Sequence, residues 1–118
     1  MKSKAEPSHN CLTEVCDHPP MEGWRRRGNC SKLRDPDVMF PDDEINDKIA
    51  VMVAKSICTE CPMRGYCLEY GWFDEYGIWG GYSTPDRARL RKWLRLPSRG
   101  IPPRRLARTL AQINGFGV

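Results

Sequence analysis

Four cysteines, Cys30, Cys58, Cys61 and Cys67, are spaced C-x27-C-x2-C-x5-C in a chain of 118 residues, and this spacing restricts the fold more than any other feature. A chain this short buries too little apolar area for a large self-sufficient core. Only 40% of the residues are hydrophobic, and ten prolines and ten glycines interrupt the rest, so the ordered part is expected to be roughly 70–80 residues. A staple between distant segments is therefore needed. Cys58 and Cys61 lie where one predicted helix stops and the next begins, Cys67 follows on the second helix, and Cys30 comes from a separate element. A group held by all four would tie at least three segments together.

What the staple is depends on compartment and ligand geometry. No window approaches the run of about 18 apolar residues that a membrane span needs, and Met1-Lys2-Ser3-Lys4-Ala5-Glu6-Pro7 lacks the apolar stretch of a signal peptide. A cytoplasmic, reducing setting is expected, in which metal binding explains cysteines better than a disulfide framework does. Tetrahedral zinc favours two C-x2-C knuckles or a Cys/His mixture, but the chain has one such pair and no histidine after Cys30. A 4Fe-4S cube takes four thiolates at less regular spacings. Spacing thus favours iron-sulfur, with zinc and then free thiols or disulfides left open.

The periodicities predict helices only. Trp24 to Cys30 reads as a short helix ending near Gly28. Asp35-Pro36-Asp37-Val38-Met39-Phe40-Pro41 reads as an extended loop presenting Met39 and Phe40. Asp42 or Asp43 is expected to cap a helix over 43–57 whose stripe is Ile45, Ile49, Met52, Val53 and Ile57, the best in the chain. A second helix starts at Pro62, carries Met63, Tyr66, Cys67 and Tyr70 on one face and stops at Gly71. Gly77-Ile78-Trp79-Gly80-Gly81 predicts a tight turn with backbone close under the indole. Ser83 or Thr84 with Pro85 opens a third helix reaching about Leu96, with Leu90, Trp93 and Leu94 on one side. A last helix spans Pro103 to Ile113.

Charge is divided unevenly. Residues 1–86 hold 10 basic and all 15 acidic residues, a net −5, whereas residues 87–118 hold 9 basic residues and no acid. This points to a polyanion, DNA, as partner of Arg87, Arg91, Lys92, Arg95, Arg99, Arg104, Arg105 and Arg108, with a merely solvated cationic tail as the plainer reading. Arg99-Gly100-Ile101-Pro102 lacks the central arginine of a minor-groove hook.

Taken together, Trp24-x5-Cys30, Asp35-Pro36-Asp37-Val38-Met39-Phe40-Pro41, Cys58-x2-Cys61-Pro62-x4-Cys67-Leu68 and Gly77-Ile78-Trp79-Gly80-Gly81 resemble the WhiB-like family of actinobacteria and their phages. The resemblance covers about residues 24–95. It implies an all-α fold: a small irregular bundle of about four short helices organised around an oxygen- and nitric-oxide-sensitive 4Fe-4S cluster, with a basic C-terminal extension. The implied layout is a tail at 1–20, the iron-sulfur domain at 21–96 and a basic arm at 97–118. By the same resemblance Cys30, Cys58, Cys61 and Cys67 are the cluster ligands. Trp24, Met39, Phe40 and Trp79 match positions lining the cluster pocket and the contact with the C-terminal domain of the principal sigma factor of RNA polymerase. Gly77, Gly80 and Gly81 form the turn. A phage-borne member could compete with a host relative for that sigma surface.

Other readings stay in view. Trp79 could be an ordinary core tryptophan held by the glycine turn. Cys58 and Cys61 could act as a thiol-disulfide oxidoreductase pair, although no βαβ pattern surrounds them, and a zinc-stapled DNA-binding module is a third reading. Cys11, Cys16 and His18 fall outside the four-cysteine pattern. No Ser/His/Asp set or paired carboxylates can be assembled, so neither an enzyme nor a small-molecule substrate is expected.

Overall fold

The computed structural model describes residues 19–112; Cys11, Cys16, His18 and Ile113 lie outside them. Three short 3-10 turns, Trp24–Arg27, Asn29–Lys32 and Pro36–Met39, precede four helices: α1 Lys48–Thr59, α2 Arg64–Tyr70, α3 Thr84–Leu94 and α4 Arg104–Ala111. Among the described residues extended pairing is limited to an isolated antiparallel bridge between Trp79 and Tyr82. The expected all-α class is what the chain adopts. No helix among them is long and apolar enough to cross a membrane.

Capping chemistry sets the helix starts. Ser83 and Asp86 form a reciprocal box, the Ser83 amide donating to Asp86 Oδ2 (2.9 Å) and the Asp86 amide to Ser83 Oγ (3.2 Å), so α3 begins where the sequence predicts. It ends at Arg95, a left-handed residue at φ 57°, before Pro97. The helix expected over 43–57 starts later. Asp43 does accept from the Ile45 and Asn46 amides (3.1 and 2.9 Å), but this closes a turn. Asp47 then caps α1 by accepting from the Ala50 amide at 3.1 Å. Two Asx caps in succession compete, and the second one opens the helix.

The face of α1 is also not the predicted one. Val51, Ala54, Lys55 and Cys58 are buried, whereas Ile45, Ile49, Met52 and Val53 are 70%, 75%, 61% and 48% exposed. Similarly, Leu90 is buried but Trp93 and Leu94 are exposed. Met39, expected to be presented by its loop, is in the core; Phe40 is the exposed neighbour.

Burial is split between two small clusters. Leu68, Trp72, Tyr82, Leu90, Ala107 and Ala111 join α2, α3 and α4. Met39, Val51, Ala54, Cys58 and Ile78 join the Pro36–Met39 turn to α1, with Cys30, Leu33 and Ile57 at the margin. Lys55 Nζ reaches Asp86 Oδ2 at 2.7 Å with both side chains buried, tying α1 to α3.

The basic C-terminal segment, read as an arm with a last helix over Pro103 to Ile113, forms α4 and packs back on α2. Ala107 and Ala111 enter the first cluster, and a Cβ on Gly65 of α2 would lie 3.2 Å from Arg108 Cγ, which shows how closely α4 approaches. Glu69 of α2 receives Arg104 at 2.9 Å and Arg108 at 2.9 Å, the Arg108 guanidinium lies 4.5 Å from the Tyr66 ring centroid, and the Tyr82 hydroxyl donates to the Leu110 carbonyl at 2.6 Å. Breaking a largely buried charge pair from one side leaves the other charge uncompensated. Glu69→Ala is accordingly expected to cost about 3 kcal/mol, read as a lowered denaturant midpoint, and to open the chain after Leu96 to limited proteolysis.

Candidate metal centre and aromatic rim

Each predicted ligand is delivered by a different local device. Cys30 sits in the Asn29–Lys32 turn, Cys58 in the last turn of α1, Cys61 just past the Glu60 cap, and Cys67 in the middle of α2. The Cys61 amide donates to the Cys58 carbonyl at 3.0 Å, which curls the C-x2-C segment so that both side chains face one side. All four cysteines line a single cavity of about 310 Å³, together with Trp24, Met39, Phe40, Ile78 and Trp79. All four are free thiols.

Backbone amides are aimed at the sulfurs. The Asn29 amide donates to Cys61 Sγ at 3.3 Å, the Gly81 amide to Cys58 and the Gly80 amide to Cys67. Burial pushes the Cys58 thiol up to about 12, with the nearby Cys61 and Cys30 adding to the shift and the Gly81 amide opposing it. Burial likewise raises Cys67, reinforced by Cys58, and raises Cys30, reinforced by Cys61. Burial thus favours the protonated form of Cys30, Cys58 and Cys67, and a bound cationic group would draw them to thiolates. Among the described residues no three Cys, His, Asp or Glu side chains gather around one ion-sized point. Four thiols around one cavity, each within electrostatic reach of the others, are a donor set that a thiolate-bound metal group could use.

The Gly77–Gly81 turn is the wall of this cavity. Gly77, Gly80 and Gly81 have φ of 92°, 60° and 89°, a region that side-chain-bearing residues rarely occupy. A Cβ on Gly80 would meet the Arg64 carbonyl and Leu68 Cβ at 2.7 Å. The predicted close packing under the indole is present, though Gly71 supplies the backbone: a Cβ there would fall 2.1 Å from Trp79 Cγ. The Trp79 indole donates to the Tyr76 carbonyl at 2.9 Å and is only 8% exposed, so it is largely a core residue as well as a cavity residue.

Trp24, Phe40 and Trp79 of the cavity lining belong to a row of aromatic rings that Tyr66 and Tyr70 complete. Phe40 and Trp79 are 6.0 Å apart and nearly perpendicular, Tyr70 and Trp79 5.5 Å, Trp24 and Tyr70 5.9 Å, and Trp24 and Tyr66 6.1 Å. Of these Phe40 and Tyr70 are exposed. Tyr66 and Tyr70 were foreseen only as part of a helix stripe. Arg25, Arg26 and Arg64 also line the cavity, where cations would offset an anionic group; in the sequence, three consecutive arginines merely weaken a helix.

The predicted DNA-contacting residues separate into two sets. Arg87 is fully buried: Nη1 donates to the carbonyls of Gly77 (3.0 Å) and Tyr82 (2.6 Å), and Nη2 to the Asp74 carbonyl (2.9 Å) and Thr84 Oγ1 (3.1 Å). Burial lowers its pKa to about 10, with Glu44 and Asp74 opposing the shift. Arg108 is buried and Arg104 is paired, both on Glu69, and Arg91 donates to the Trp72 carbonyl at 2.7 Å. These four hold the fold together. Lys92, Arg95, Arg99 and Arg105 remain exposed.

The family pattern "Whib: Transcription factor WhiB" matches residues 24–90, which span the first turn, all four cysteines and the glycine turn. The chain belongs to the WhiB family of transcription regulators. It is 38% identical over 72 residues to the transcriptional regulator WhiB of Streptomyces coelicolor, covering 59% of this chain and 77% of that one. It is 33% identical to WhiB2 of Mycolicibacterium smegmatis, over 67% of this chain and 59% of that one. It is 34% identical to the redox-responsive regulator WhiB3 of M. smegmatis, over 58% and 76%. For this WhiB-family chain, substitution of Gly71 by Ala is expected to displace the Trp79 indole, read as a red shift of tryptophan emission. Substitution of Arg87 by Met, which removes hydrogen bonds to the buried Gly77 and Tyr82 carbonyls and to the partly buried Asp74 carbonyl, should cost about 3 kcal/mol by denaturant melt. Lys92→Ala, in contrast, should leave the melt unchanged.

Proposed function

We propose that Cys30, Cys58, Cys61 and Cys67 hold a 4Fe-4S cluster, and that the protein regulates transcription by docking on the C-terminal domain of the principal sigma factor through the rim of the cluster cavity. The reading rests on one observation: four thiols from three segments line a single cavity whose aromatic lining residues belong to a continuous row of rings. A bound cluster would supply redox and diatomic-gas reactivity and close the staple. The protein supplies the rest. Gly80, Gly81 and Asn29 amides direct hydrogen bonds to the sulfurs, which tune a thiolate site and hold it in shape. Met39, Ile78 and Trp79 exclude water from its apolar side. Phe40 and Tyr70, which project from the rim, are the side chains a partner would bury, because Met39 and Trp79 have little surface left to offer. The exposed Lys92, Arg95, Arg99 and Arg105 are left to contact promoter DNA in a salt-dependent way.

The oxidoreductase alternative is weakened by the burial that keeps Cys58 protonated, since an attacking thiol needs a lowered pKa. Anaerobic purification is expected to yield a brown protein whose iron and sulfide content matches one cluster. Cys58→Ser should lose the visible absorbance, and Cys11→Ser should keep it. The loaded protein should copurify with the sigma C-terminal domain, and Phe40→Ala with Tyr70→Ala should weaken that association about thirtyfold. A folded, cluster-loaded protein that fails to associate would falsify the docking.

A further inference from the structure

A helix lying on a core normally carries one apolar stripe, and α1 carries two. Val51, Ala54 and Cys58 face inward. Ile49 lies nine residues before Cys58, about two and a half turns, and so points directly away from the core. Met52 and Val53 share that outward side, Ile45 lies in the turn just before the helix, and together with Ile49 they are half to three-quarters exposed. Scattered surface apolar residues are ordinary, but three on one helix face with a fourth beside its start mark a contact surface. The stripe borders a groove of about 450 Å³ whose floor is Val38, Phe40, Pro41, Ala50 and Val53.

Charge narrows the choice of occupant. Residues 35–47 contain six acidic residues and no lysine or arginine, and Asp35, Asp37 and Asp42 stand on the groove wall. On the opposite flank Lys55 and Arg89 are both committed to Asp86, and Lys48 at the start of α1 is an exposed cation beside Glu44, one against the six acids. Nucleic acid and anionic lipid are repelled by such a rim. A second copy would set acidic rim against acidic rim. Residues 1–18 carry Lys2 and Lys4 against Glu6, Glu14 and Asp17, and residues 113–118 carry no charged side chain, so neither complements it. Residues 104–111 are already packed on α2 as α4.

We propose that the outward stripe of α1 and its acid-rimmed groove dock a second protein partner through a basic amphipathic helix. Apolar positions at i, i+3 and i+4 on α1, Ile49, Met52 and Val53, form a ridge that a facing helix can pack against, and lysine or arginine on the helix flank would meet Asp35, Asp37 and Asp42. The proposal does not depend on sigma docking, because Ile49 and Met52 do not line the cysteine cavity; the two surfaces adjoin at Phe40, which borders both.

The test uses the full chain, prepared anaerobically, and a fluorescent synthetic helix with leucines at i, i+3, i+4 and i+7 and lysines on both flanks. Saturable binding is expected, several-fold weaker at high salt and for a peptide with the lysines replaced by glutamate. The double variant Ile49→Lys, Met52→Lys should bind about thirtyfold less tightly while retaining its sigma association and its melting curve. Should that pair disturb folding, Ile49→Gln with Met52→Gln provides the same comparison without added charge. Four outcomes overturn the proposal. Equal binding of the glutamate and lysine peptides refutes the charge argument. Undiminished binding by the variants moves the site elsewhere, and displacement of the peptide by the sigma domain assigns it to the cavity rim. A wild-type dimer that becomes monomeric in the variant assigns the face to a second copy.

Discussion

The peptide of Gly77 is gripped from both sides. Its amide donates to Glu44 Oε2 at 2.8 Å, and its carbonyl accepts from the buried Arg87 at 3.0 Å. Glu44 also receives the Thr84 amide at 2.7 Å and the Thr84 hydroxyl at 3.0 Å, so the carboxylate joins the loop before α1 to the start of α3. Arg87 joins α3 to Asp74 and Tyr82 across the same turn. Between them the two charges define where a five-residue turn with three left-handed glycines sits, and a buried ionic group bonded to several fixed carbonyls favours one arrangement over its competitors.

The consequences run outward from that turn. The amides of Gly80 and Gly81 reach Cys67 and Cys58 because the turn is held against α2 and the end of α1. Ile78 donates its amide to the Met39 carbonyl at 2.8 Å, which brings the Pro36–Met39 turn, and Phe40 after it, to the rim. Trp79 fills the space that Gly71 leaves open. Two clusters that are each too small to be a core alone are therefore connected by polar geometry on one side and by a cysteine-lined cavity on the other. That is the architecture of a chain whose stability was expected to need a staple.

Much of the site is local enough to be read from residue order. C-x2-C at a helix boundary, Cys67 at helical spacing, and three glycines around a tryptophan are each short-range signals, and the structure places those residues around one cavity. The misreadings share a cause. The Ile45–Ile57 stripe has the right period, but periodicity cannot say which of two apolar faces turns inward, and the smaller side chains of Val51, Ala54 and Cys58 pack where space is limited. A run of basic residues without acid reads as a solvated surface, yet Glu69 and Glu44, which lie in other helices or loops, draw Arg104, Arg108 and Arg87 inward. No window of sequence contains both partners.

Residue order by itself determined the helical class, the glycine turn and the family resemblance, and singled out four cysteines as candidate ligands, because each rests on short-range spacing or on a pattern of chemical types along the chain. Tertiary structure alone decided which arginines are structural and which are exposed, that α4 folds back onto α2, and that Phe40 and Tyr70, more than Met39 and Trp79, form the accessible part of the rim. Those outcomes depend on which distant groups meet and on how much volume is left between them, quantities that exist only after the chain has closed on itself.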